Sequence, residues 1–245
     1  MKLDIFLQQV PDGDGAWWQM LASGLQWTLL VALFAWIMAF VLGSLIGVAR
    51  TTDKPWLTRC GNAYVELFRN IPLIVQFFLW YFVVPGLVPA VKTWVITLDP
   101  TQHQFVTAIV CLGFFTSARI AEQVRSGIQS LAGGQRNAGY AVGLTQAQTY
   151  RYVLLPQALR IILPPLTSDF LNIFKNTSVA LTIGLMDLTA RTRAMESYTF
   201  QVFEAFAAAS LIYIVLNVSI VQLMRVLERK LAVPGLISGA HGAGH

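Results

Sequence analysis

The sequence predicts an all-helical integral membrane protein whose single domain crosses the bilayer five times. Three observations carry that expectation. Hydrophobic residues make up 56% of the 245 and charged residues only 12%, with a mean hydropathy of +0.60; soluble domains carry about 25% charged residues. The charges leave five largely apolar runs, each near the roughly 20 residues that a span requires. Between the third and fourth runs lies a more polar stretch beginning GYAVGLTQAQTYRYVLLPQ, which has more internal pattern than a connecting turn needs.

The elements follow in order. Residues 1–21 form an N-terminal segment without a cleavable signal peptide, because Met1-Lys2-Leu3-Asp4 leads into a short mixed segment rather than a long apolar run. No Asp, Glu, Lys or Arg occurs from Gly15 to Ala49, which gives a first span over 22–49. The second, 62–88, takes in Glu66 and Arg69 before an uncharged run to Val91. The third, 104–128, carries Arg119 and Glu122. The fourth, 160–184, is expected to be interrupted at Pro164-Pro165 and contains Asp169 and Lys175. The fifth, 205–227, is free of charge until Arg225, and 231–245 is a tail.

Five spans place the termini on opposite sides. One side then holds Arg50, Lys54, Arg59, Arg125, Arg136, Arg151, Arg160, Arg225, Arg229 and Lys230, and the other only Lys2, Lys92, Arg191 and Arg193. The positive-inside rule puts the first group in the cytoplasm, so the N-terminus lies outside and the C-terminus inside. The net charge of +5 therefore reflects topology, and nucleic-acid binding is not implied. Cys60 and Cys111 form no disulfide framework. His103, His241 and His245 lack metal-ligand spacing, and no nucleophile–base set marks an enzyme. The sequons at Asn176 and Asn217 fall inside spans and read as chance.

The cytoplasmic loop over 134–157 reads as two short helices. Gly143 suits the left-handed position past a helix end, and Thr145 with Gln148 three residues on fits a capping box that restarts the chain as helix. In the second helix Ala147, Tyr150, Val153 and Leu154 share a face, with Gln146, Arg151 and Gln157 around it, and Pro156 is expected to end it. Such a stripe suits a groove on another protein or a lipid surface, and spacing alone leaves both open.

Asn137-Ala138-Gly139, then Gly143, then Val153-Leu154-Leu155-Pro156 resembles the cytoplasmic "EAA" loop of ABC importer permeases. The glycine and proline spacings match; Asn137 replaces the family's acidic residue and Gly139 its second alanine. Further stretches, Tyr64–Phe78, Ser117–Ser130 and Leu163–Ser178, are similar to the polar amino-acid branch, and with residues 5–9 the chain looks most like glutamate/aspartate permeases. The resemblance implies a type I importer permease core with a coupling helix between spans three and four, seated in an ATPase subunit. Its contacts would be Asn137, Ala138, Gly139, Ala141, Val142, Gly143, Leu144, Ala147, Tyr150, Arg151, Val153, Leu155 and Pro156. It also implies a cytoplasmic ATPase dimer that binds ATP and Mg, a second permease subunit and a periplasmic binding protein in the inner membrane system. No cofactor is expected on this chain. Independently, none of the eighteen glycines is followed by lysine, so the phosphate loop G-x-x-x-x-G-K-[ST] is absent. The outer segments 86–103 and 187–204 are the expected contacts for the binding protein.

Charges inside spans are costly and mark function by default. Glu66 and Arg69, Arg119 and Glu122, and Glu122 and Arg125 are each three apart, so local pairing is expected. Lys175 has no acidic residue three or four positions away, and Asp169 lies six residues back, roughly 9 Å along the axis. Asp169, Asn172, Asn176 and Val179 recur at helical spacing with Lys175 beside them, and Asn176-Thr177-Ser178 is rich in side chains that loosen a helix. This stripe is the expected substrate site. Lys175 would take a carboxylate, Asp169 the ammonium, Asn172, Asn176, Thr177 and Ser178 neutral hydrogen bonds, and Arg69 a second anion. Pairing of Lys175 with an acid on a neighbouring permease remains the competing reading. Glutamine, histidine or arginine permeases, or an ion-coupled carrier working alone, are the rival functions; the carrier predicts inverted repeats, and none is visible.

Overall fold

The computed structural model describes residues 3–11, 15–131 and 133–231, so the expected tail with His241 and His245 lies outside the described residues, as does Lys2. Regular structure among the described residues is helical, apart from an isolated bridge between Gln9 and Ala16.

Helix α1, Trp17–Ala49, starts five residues ahead of the expected first span, as the uncharged run from Gly15 allows. Its buried positions are mostly small: Gly24, Thr28, Ala32, Ala35, Ala39, Gly43 and Gly47 recur every three or four residues. Helix α6, Pro100–Gln129, lies along that stripe. A Cβ at Gly43 would sit 2.6 Å from the Ser117 carbonyl oxygen, so the two backbones are as close as glycine permits. Dispersion between closely packed backbones is the main attraction available where lipid tails are as apolar as leucine. Asp99 caps α6 by accepting from the Gln102 amide at 2.9 Å, with Pro100 at the first helical position.

The expected second span is not one helix. Helix α2, Pro55–Asn70, meets the segment Leu73–Leu87, which opens with helix α3, Leu73–Phe78, at 104°. Ile71 is extended (φ −92°, ψ 125°), as a residue before proline must tend to be. The carbonyls freed at this corner are answered by Gln76, 2% exposed, whose amide donates to Phe68 O at 2.8 Å and Ile71 O at 2.9 Å. Beyond α3 come a π turn over Leu79–Val83, α4 at Val84–Leu87 and α5 at Pro89–Val95.

The fourth segment also departs from expectation. Helix α7, Gly133–Ala141, and α8, Gln146–Thr149, are followed by a π turn, Tyr150–Leu154, and directly by α9, Leu155–Asn176. Pro156 ends nothing: the Leu155 amide reaches back to Tyr150 O, and this widened turn carries the chain past the missing Pro156 N–H. Pro164 and Pro165 do not interrupt α9 either, because Ala158, Ile162, Leu166 and Asp169 hold one of its faces in the core against α6. A 3-10 segment, Thr177–Ile183, leads to α10, Leu188–Thr199, capped by Asp187, and to α11, Val202–Leu231.

Three described helices are long and apolar enough to cross a membrane: Trp17–Ala49, Pro100–Gln129 and Val202–Val226; Pro55–Asn70 and the segment Leu73–Leu87 meet the same criterion only when taken together as one broken span. Helix α9, with Arg160, Asp169, Lys175 and two internal prolines, is too polar to stand as another. It is buried between neighbours along one side, so it has less need of an apolar exterior.

Candidate functional site

One face of α6 carries Phe115, Arg119, Glu122 and Gln123, and these with Arg69 from α2 line a cavity of about 380 Å³. A second hollow of about 310 Å³ shares Glu122 and Gln123. It continues toward the end of α6 nearest α7, between Ser126, Gly127 and Ser130 on one wall and Ile161, Ile162 and Pro165 of α9 on the other.

The ion pairs around this space differ from the local pairing expected. Glu122 does pair with Arg125 one turn away, but its other oxygen takes Arg50 Nη1 at 2.8 Å from the end of α1. Arg119 turns from Glu122 to Asp169 on α9, Nε to Oδ1 at 2.8 Å, and Gln123 Nε2 donates to Asp169 Oδ2 at 2.5 Å. No ion pair joins Glu66 to Arg69 among the described residues. Two guanidiniums, those of Arg69 and Arg119, and one carboxylate, that of Glu122, line the cavity itself, with Arg50 and Arg125 behind Glu122 and Asp169 behind Arg119. An excess of positive charge at a cavity between apolar helices favours an anion there.

The expected substrate stripe is divided. Asp169 is 2% exposed and turned toward α6. Asn172 and Asn176 are half-buried, and Lys175 is exposed without an ion pair among the described residues. Thr177 donates to Phe174 O and Ser178 to Lys175 O, both at 2.7 Å, where the α-helix gives way to the 3-10 segment. Arg69 lines the cavity; Lys175 is not among the residues around it.

In the loop, Gly143 has φ +84°, and Thr145 and Gln148 form the expected reciprocal cap. Gly139 packs so tightly on Thr149 that a Cβ there would lie 2.8 Å from its methyl carbon. Tyr150 and Leu154, expected on an exposed stripe, are 6% and 3% exposed and belong to the core beside α1 and α6. The outer surface is made by Asn137, Ala138, Ala141, Val142, Gly143, Ala147, Arg151 and Pro156, while Leu144, Val153 and Leu155 are half-buried. Tyr152, which periodicity did not single out, is 62% exposed beneath the Arg151 guanidinium. The π turn shifts the helical phase here, which a fixed 3.6-residue period cannot anticipate.

Residues 39–233 match the family described as binding-protein-dependent transport system inner membrane component. The chain belongs to this permease family. Over 237 residues, 96% of each chain, the permease is 47% identical to the glutamate/aspartate import permease protein GltJ of Escherichia coli K12. It is 36% identical to the probable glutamine ABC transporter permease GlnM of Bacillus subtilis 168, covering 86% of this chain and 93% of that one. Among solved structures, an amino acid ABC transporter crystallised with histidines superposes with a TM-score of 0.74 at 28% identity, over 87% of this permease and 95% of that chain. The inward-facing MetNI methionine transporter shares the fold, with a TM-score of 0.73 at 22% identity over 88% and 97%. The protein is thus an all-helical, multi-pass inner-membrane permease of the amino-acid ABC importers. Such permeases work in general with ATPase and binding-protein partners.

Proposed function

We propose that this chain is the membrane subunit of an ATP-driven importer that carries glutamate and aspartate inward, with ATP hydrolysed on a separate chain. The near full-length relationship to a glutamate/aspartate import permease carries the reading. The chemistry of the cavity agrees with it. An acidic amino acid brings two carboxylates and one ammonium, a net charge of −1, to a space of about 380 Å³ with an excess of guanidinium. Arg69, which has no ion pair among the described residues, holds the side-chain carboxylate by a planar two-pronged contact that lysine cannot reproduce. Asn172, Lys175, Asn176 and Ser178 line the path beyond it, Thr177 is fully buried against the Phe174 carbonyl and faces no path, and Asp169 acts through Arg119 rather than on the ammonium.

In this reading the polypeptide crosses the membrane five times, the α2–α3 pair and α9 each serving as one crossing, with the α7–α8 loop and C-terminus cytoplasmic. The exposed side of that loop, from Asn137 through Arg151, seats in one subunit of an ATPase dimer. A second permease subunit, identical or paralogous, completes the path, and the outer segments meet a periplasmic binding protein.

Reconstitution of the complete transporter in proteoliposomes tests this. Arg69→Gln is expected to raise the half-saturating glutamate concentration about tenfold, the loss of one charge-assisted hydrogen bond in a low-dielectric site. Maximal ATP hydrolysis should persist. Unchanged half-saturation would remove Arg69 from the substrate path. Stimulation by glutamine, histidine or arginine but not by glutamate would reassign the substrate.

A further inference from the structure

A loop that moves with an ATPase must displace something in the membrane, and α9 is one obvious route because it continues from α8. A second set of contacts leads elsewhere. Three parts of the loop converge on the short turn between α1 and α2. Tyr150, in the π turn, donates its hydroxyl to Thr51 O at 2.7 Å. Arg136, on α7, reaches Thr51 O and Asp53 Oδ1, each at 3.3 Å. Gln146, on α8, donates to Asp53 Oδ2 at 3.3 Å. The turn is itself stiffened, since the Thr51 and Thr52 hydroxyls donate to Val48 O and Ala49 O at 2.8 Å.

Immediately before this turn stands Arg50, 9% exposed, which the sequence marks only as a cytoplasmic charge. Its Nε donates to Asn62 Oδ1 of α2 at 2.8 Å, and its Nη1 pairs with Glu122 of α6 at 2.8 Å. Glu122 lines the cationic cavity. Among the described residues, hydrogen bonds therefore run from the loop to Thr51 and Asp53, and the adjoining Arg50 bonds in turn to α2 and to Glu122 at the cavity wall.

We infer that the Arg50–Asp53 turn is a positioning element that passes displacement of the ATPase-docking loop to α2 and to the Glu122 side of the cavity. The inference rests on the proposed function, since it needs the loop to be the docking element. A single exposed Arg–Asp pair contributes little by itself. The strength lies in the buried Tyr150 hydroxyl and in Arg50, where removal of one partner leaves the other unsatisfied. Two packed arrangements of such a joint give a switch between discrete positions, which is the physical requirement for coupling two sites.

The test uses the complete transporter in proteoliposomes and reads glutamate taken up per ATP hydrolysed. Asp53→Ala removes both acceptors; assembly and the rate of ATP hydrolysis are expected at wild-type level while uptake per ATP falls about threefold. Asp53→Glu, which keeps the acceptors, should restore the ratio to near wild type. Tyr150→Phe, which keeps the ring in its core position, should lower the ratio about fivefold. A merely structural role would reduce uptake and hydrolysis together with the amount of assembled complex and leave the ratio unchanged. An unchanged ratio in Asp53→Ala and Tyr150→Phe overturns the inference. If Asp53→Ala does not assemble, Asp53→Asn, which keeps shape and one acceptor, supplies the ratio and is judged in the same way. Wild-type vesicles without ATP-dependent uptake would refute the proposed function, and the role of the turn with it.

Discussion

Asp169 shows how a carboxylate survives inside a helix packed among membrane segments. It is 2% exposed, and Arg119 and Gln123 of α6 supply a cation and an amide to its two oxygens. Burying a charge is tolerable only with such compensation, and removing one partner strands the other. Arg119→Gln is therefore expected to destabilise the purified protein by about 2 kcal/mol. The cost is below that of a fully enclosed pair, because the Arg119 side chain is itself half-exposed. Thermal unfolding in detergent measures it, and an unchanged midpoint would show that the pair contributes nothing. Asp187 poses the opposite case. In the connection before α10 it is fully buried; its Oδ1 accepts from the Ala190 amide at 2.9 Å, while its Oδ2 has no hydrogen-bond partner among the described residues. Burial pushes its carboxyl up to about 6, against a smaller opposing effect of the Ala190 and Thr189 amides. Because the folded value lies above the unfolded one, this group's contribution is most favourable below about pH 4 and is lost as pH rises through about 6. Asp187→Asn, which keeps a capping oxygen, is expected to stabilise by roughly 2–3 kcal/mol at pH 7.5 and by clearly less at pH 5. Equal gains at both pH values would mean that Asp187 does not titrate in this range.

Among the elements, the corner between α2 and α3 depends on one side chain. Gln76 answers two carbonyls that the 104° bend leaves without helical partners. Gln76→Leu keeps the volume but removes both donors, and the expected loss is about 1–3 kcal/mol, visible as a lower unfolding midpoint. A midpoint within error of wild type would show that water or a backbone shift replaces the amide. Much of this level could be read from local chemistry. The left-handed Gly143 and the Thr145–Gln148 cap follow from rules that act over four residues or fewer, whereas α6 starts at Pro100 behind an Asp99 cap, four residues ahead of the expected 104. What escaped reading acts over longer distances. Arg119 and Asp169 are fifty positions apart, so helical spacing suggested Glu122 as the partner. The polar positions of the fourth segment were legible as costly, and that cost requires a cation from another helix, but nothing in the pattern says which helix. Likewise Pro156 and Pro164-Pro165 looked like breaks. A π turn and close packing on α6 override that local preference.

Across the whole molecule three features adjoin: a cationic cavity, a loop with its outer face exposed, and a bonded turn between them. They involve different residues, and in the proposed function work done outside the membrane moves the cavity wall through them. Such coupling requires the partner to bind the loop differently in its two states, since a contact of equal strength in both shifts nothing. The most direct measurement is glutamate accumulation by proteoliposomes containing the permease with its ATPase and binding protein, compared with vesicles lacking the ATPase. The account predicts concentrative uptake that needs ATP and the ATPase, and none when that subunit is omitted whatever ion gradient is imposed. Uphill accumulation by the permease without the ATPase, driven by an ion gradient, would contradict it.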